Sequence, residues 1–103
     1  MSVVVLLGKD GTLRKRIADQ TKLHDELGGD VTFVGGIDDL HVFAVGRRTP
    51  RADDALNPLC SNAAHFDAPV KGDVILIGSD ANGNAQDVDL DGVAKWFEQH
   101  IEE

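Results

Sequence analysis

At 103 residues the chain has room for one hydrophobic core, so it is read as a single domain spanning 1–103. Its net charge of −8, from 18 acidic against 10 basic side chains, repels a phosphate backbone and argues against direct nucleic-acid binding. No apolar run reaches the roughly eighteen residues of a membrane helix, and the single cysteine, Cys60, excludes an internal disulfide; both suit a soluble protein of the reducing cytoplasm.

In chain order, Ser2 to Leu7 alternates weakly and is β-branched, Gly8-Lys9-Asp10-Gly11 supplies Asp-Gly turn chemistry, and Thr12 to Ile17 resumes. This predicts an N-terminal hairpin. A phosphate-cradling role for Gly8 to Gly11 is disfavoured, because the Walker spacing is absent and Asp10 would repel phosphate. From Asp19 to Leu27 the pattern turns helical, with Asp19 or Thr21 as N-cap, Leu23 and Leu27 on one face, and Gly28-Gly29 as the stop.

Val31 to Val34 and Leu40 to Val45 are strand candidates joined by Gly35-Gly36-Ile37-Asp38-Asp39, a second hairpin. Both faces of the second strand are apolar, which predicts a central position, with His41 at its edge or hydrogen-bonded in the core. Gly46 to Asn57 is a polar connector carrying Arg47, Arg48 and Arg51, then Asp53 and Asp54. A long charged connector beside a rigid segment is where binding often sits. Asn57-Pro58 then opens a short helical segment through His65, Val74 to Ile77 is an apolar run of strand length, and a closing helix carries Leu90, Val93, Ala94, Phe97 and Ile101 at helical spacing.

Hairpin, helix ending Leu27-Gly28-Gly29, strand pair, charged loop, Leu56-Asn57-Pro58-Leu59-Cys60-Ser61-Asn62-Ala63, then Lys71-Gly72-Asp73-Val74-Ile75-Leu76-Ile77-Gly78 and a closing helix occur in this order. The order resembles the domain-of-unknown-function family numbered 3846, small proteins carried mostly by bacteriophages, plasmids and other mobile elements. The resemblance runs from Val3 to about Phe97 and is most specific at Leu56-Asn57-Pro58-Leu59 and Gly72 to Gly78. It implies a genomic setting rather than an activity. Where that family often has an acidic Asn-Glu pair after the central strand, this chain has Gly46-Arg47-Arg48.

One constellation has sharp spacing: Asp87, Asp89, Asp91, Gly92 and Glu98 fill the ligand pattern of a calcium loop. The simpler reading of the same residues makes Asp89 a helix cap, Asp91 a first-turn carboxylate favoured by the dipole, and Glu98 a solvated helical side chain. Asp80, Asn82 and Asn84 form a second set of oxygens for the same ion. Cys60 and His65 lack an orienting third residue, and no isolated carboxylate pair stands in apolar surroundings. The chain is therefore read as no enzyme, with no cofactor unless Ca²⁺ binds.

The expected fold is α+β: a mixed, mainly antiparallel sheet of about five strands with two helices on one face, in the order ββαββ, short turn, β, α. The expected function is that of a small cytosolic accessory protein of a mobile element or its host. It would bind a partner protein through Arg47, Arg48, Arg51 and Asn57. Two alternatives stand beside it: an acidic DNA mimic that blocks a host DNA-binding protein, and a weak calcium-binding domain using Asp87, Asp89, Asp91 and Glu98.

Overall fold

A computed structural model describes residues 2–8, 10–37, 40–49, 57 and 71–100. The N-terminal hairpin forms where alternation and turn chemistry place it. β1 (Ser2–Leu7) pairs antiparallel with β2 (Leu13–Ala18), Ser2 opposite Ala18 and Leu7 opposite Leu13. Asp10 fastens the turn, its Oδ1 accepting from the Thr12 hydroxyl at 2.6 Å.

Asp19 accepts from the Thr21 N–H at 2.9 Å and opens a 3-10 turn, Gln20–Lys22, which runs into the five-residue helix α1, Leu23–Leu27. Gly28 closes the helix in the left-handed conformation, at φ 76°. β3 (Val31–Ile37) and β4 (Val42–Arg47) make the second hairpin, but the connection starts later than the glycine pair suggests. Gly35 and Gly36 stay within β3, accommodated by a bulge between Phe33 and Gly35. His41 is exposed at the edge of β4, in the turn just ahead of it at φ 53°, and not in the core.

β5 (Val74–Ser79) inserts between β1 and β4, giving the strand order β2-β1-β5-β4-β3. Every ladder among the described residues is antiparallel, so no parallel pairing is mixed in. Past the end of the β1 ladder a two-residue strand, β6 (Ala85–Gln86), continues along the same edge of β5, with Gln86 opposite Gly78. A Cβ at Gly78 would lie 2.6 Å from the Gln86 carbonyl oxygen, so the approach depends on glycine. Val88 N–H donates to Val3 O at 2.9 Å and Val3 N–H to Asp87 Oδ1 at 2.8 Å, which ties the chain ahead of the last helix to β1.

Successive residues of the middle strands point to opposite faces and feed two cores. Val5, Leu7, Ala44, Val74 and Leu76 lie under α2 (Leu90–His100), against its buried Val93, Trp96 and Phe97. Trp96 and Phe97 meet edge to face at 5.0 Å, a geometry that adds about 0.5–1.5 kcal/mol beyond the area they bury. Val4, Val45 and Ile75 point the other way, against Ala18 and against Leu23 and Leu27 of α1. This corrects the expectation of two helices on one face: with Val4 and Val5 both buried, and Val74, Ile75 and Leu76 buried in succession, each face needs its own cover.

Among the described residues no helix is long and apolar enough to cross a membrane. Of the connector and the helical segment predicted after it, Arg51, Asp53, Asp54, Cys60 and His65 lie outside the described residues, as does Ile101 at the other end. Asn57 is described and is fully buried, its Nδ2 donating to Leu7 O and Gly72 O at 2.9 Å each. It pins the approach to β5 onto the end of β1. Asn57→Ala removes the donor from two carbonyls in a closed site and is expected to cost about 2–4 kcal/mol in urea denaturation; a loss below about 0.5 kcal/mol would mean that water replaces the amide.

Candidate binding surface

Of the four residues expected to form a contact patch, three are described, and one of these, Asn57, is not on the surface. Arg48 is exposed just past β4, its N–H donating to Asp30 O at 2.8 Å. Arg47 is half-buried, and its guanidinium lies against Gly29, with Nη2 3.2 Å from where a Cβ there would sit. Asn57 belongs to the interior: a side chain closed to solvent and bound to two carbonyls presents nothing to a partner. Arg51 lies outside the described residues.

Arg48 instead belongs to a surface that the strand patterns did not announce. Phe33 on β3 is 67% exposed and Phe43 on β4 is 45% exposed, and their rings meet edge to face at 6.0 Å. Register explains why they share a face: Phe33 sits opposite Val45, and Phe43 opposite Ile77, all on the α1 side of the sheet. Length explains why they are uncovered. A helix of five residues rises only about 7–8 Å, so α1 packs over Val45 and Val31 but leaves Phe33 and Phe43 exposed.

Between the 3-10 turn and β3 this face sinks into a cavity of about 330 Å³. Leu23, Val45 and Ile77 form its floor, Gln20 and Thr21 one wall, and Val31, Thr32 and Phe33 the other, with Arg48 on the lining. Gln20 Nε2 donates to Gly78 O at 3.2 Å, which fixes the first wall to the end of β5.

The two edges of the sheet differ in chemistry. β2 presents Arg14, Lys15 and Arg16 in succession, all exposed, the kind of charge run that discourages strand pairing. β3 reads Val-Thr-Phe-Val-Gly-Gly-Ile, with no charge and no proline, and among the described residues it pairs on one side only. The signal was available in the sequence as a seven-residue uncharged stretch; that it lies on an edge was not.

The carboxylates of the calcium pattern are in use elsewhere. Asp87 accepts from Val3 N–H, and Asp89 Oδ1 accepts from Asp91 N–H at 3.2 Å while its carbonyl accepts from Val93 N–H, which is the arrangement of a helix cap. Glu98 is exposed on α2, two turns and about 10 Å along the axis from Asp91. Among the described residues no three His, Cys, Asp or Glu side chains gather in a metal-holding group.

Asp80 is the organiser of the second oxygen set. Its carboxylate accepts from Asn84 N–H at 2.8 Å and Asn82 N–H at 2.9 Å, and from Asn84 Nδ2 and Gln86 Nε2 at 3.3 Å each, and so builds the β5–β6 turn. These donors, the Asn84 N–H first, hold its pKa below the ordinary aspartate value. Hydroxyl donation from Thr12 and Thr21 does the same to Asp10 and Asp19.

Comparison with protein-family models, with curated proteins and with solved structures found no match to this chain.

Because the folded-state pKa of Asp80 is depressed, what its contacts add to stability is complete above the ordinary carboxylate range, about pH 4, and is lost as pH falls through the folded value. In an NMR titration the Asp80 carboxyl is expected to move below the ordinary aspartate pKa, with the Asn82 and Asn84 amides following the same curve. A midpoint at or above about pH 4 would contradict the turn geometry.

Proposed function

We propose that the chain is a non-catalytic binding module that engages a protein partner along β3 and the adjoining Phe33, Phe43 and Arg48 surface. The observation that carries this reading is the contrast between the edges: β2 is guarded by three consecutive cations, whereas β3 is uncharged and flanked by exposed aromatic rings. An edge that is left open while its counterpart is blocked fits strand addition, in which a partner's extended segment hydrogen-bonds to the free backbone. Exposed apolar residues grouped beside it supply contact area, and aromatic rings and arginine are the side chains that most often carry interface energy. In the setting implied by the resemblance to family 3846, this is a cytoplasmic accessory protein of a mobile element or its host.

The test is capture from host lysate by the immobilised chain. Wild type is expected to retain a partner that Phe33→Lys loses at least about tenfold, because the new charge sits where desolvated contact is needed. Arg14→Ser, on the guarded edge, leaves retention unchanged. The complex persists when salt is raised, since an interface of backbone hydrogen bonds and apolar contact is weakly screened. The DNA-mimic reading predicts instead a complex that dissolves steeply with salt and ignores Phe33. Equal capture by wild type and Phe33→Lys would sink the proposal.

A further inference from the structure

We infer that the cavity beside β3 binds a small molecule with an apolar body and a single carboxylate. The inference is separate from partner capture but rests on the same face of the sheet, sharing Phe33 and Arg48 with it.

Three observations carry it. First, the face is recessed there: the 3-10 turn and β3 stand on either side of Leu23, Val45 and Ile77, and the volume of about 330 Å³ falls at the lower end of the roughly 300–1,000 Å³ of small-molecule sites. Second, in a chain with 18 acidic residues, no carboxylate lines it among the described residues, and the one charged residue among those described on its lining is Arg48. An apolar floor of Leu23, Val45 and Ile77 with a single guanidinium at the side is complementary to an amphiphile of one negative charge.

Third, the polar side chains of the 3-10 wall are already occupied. Gln20 Nε2 is held by Gly78 O, and the Thr21 hydroxyl donates to Asp19 at 2.7 Å. The Arg48 guanidinium, by contrast, makes no side-chain hydrogen bond or ion pair among the described residues. Its planar fork matches a carboxylate in two parallel hydrogen bonds. Apolar transfer from water would hold the body of the ligand and Arg48 would orient its head group.

The test uses octanoate and 1-octanol, which share an eight-carbon chain and differ in the head group, in parallel amide-NMR titrations of the isolated chain. Octanoate is expected to shift the Thr21, Thr32 and Phe33 amides to saturation, with 1-octanol weaker by about five- to tenfold, the scale of one charge-assisted contact at a partly exposed site. Arg48→Gln, an exposed substitution expected to leave the rest of the spectrum in place, brings octanoate down to the affinity of 1-octanol. The inference is overturned if the two ligands bind wild type equally, if Arg48→Gln leaves the difference intact, or if neither ligand perturbs the cavity. Since no partner is present, failure here leaves the capture result standing, and failed capture leaves this one.

Discussion

A strand hydrogen-bonded on both edges and buried on both faces is the constraint from which the rest of this molecule follows. β5 is that strand: Val74, Ile75 and Leu76 are at most 3% exposed, with β1 and β4 on either side. Because its successive residues point to opposite faces, it sets the floor of two cores at once and obliges the chain to find two covers. α2 supplies the larger, with Val93, Trp96 and Phe97; Leu23 and Leu27 of α1, together with Ala18, supply the smaller. Asn57 ties the approach to β5 to the end of β1, so the entry of this strand is specified by buried hydrogen bonds as well as by apolar area.

The inequality of the two covers links fold to function. An eleven-residue helix spans its face, while a five-residue helix cannot, and the uncovered remainder holds Phe33, Phe43 and the cavity that Arg48 lines. Large apolar side chains held in water by a rigid sheet gain nothing for folding, and the proposed contact with a partner is what would cover them. Charge is distributed to match. The carboxylates at the start of α2 and in the β5–β6 turn are spent on capping and turn formation, whereas none lines the cavity among the described residues. The overall charge of −8 therefore says little about this particular surface, which has a cation at its side.

Much of the backbone was legible in the sequence because local chemistry and global fold agree there. Asp-Gly at the first turn, Asp19 and Gly28 at the ends of the first helical stretch, and helical spacing from Leu90 onward each name a boundary that the structure keeps. Gly35-Gly36 misled because glycine pairs usually punctuate, whereas here a bulge absorbs them within β3. β6 has two residues and no period to detect. The helix faces were decipherable in principle: four consecutive apolar residues, Val74 to Ile77, already imply cover on both sides. The candidate surface was only half visible. Arg48 stood out as a cation in an acidic chain, but Phe33 and Phe43 read as ordinary strand residues, since exposure depends on how far α1 extends over the sheet. Asn57 gave no sign of burial, because an asparagine before proline has the same local chemistry on the surface as in a core.

The central claim is that β5 holds the sheet together while β3, paired on one side only among the described residues, keeps a free edge. Native-state amide hydrogen exchange resolves both strands in one experiment. The account predicts that Val74 to Ile77 exchange only through global unfolding, whereas β3 amides directed away from β4 exchange orders of magnitude faster than those directed toward it. Uniformly slow exchange along Val31–Ile37, equal to that of β5, would show that the edge is already covered and would contradict the account.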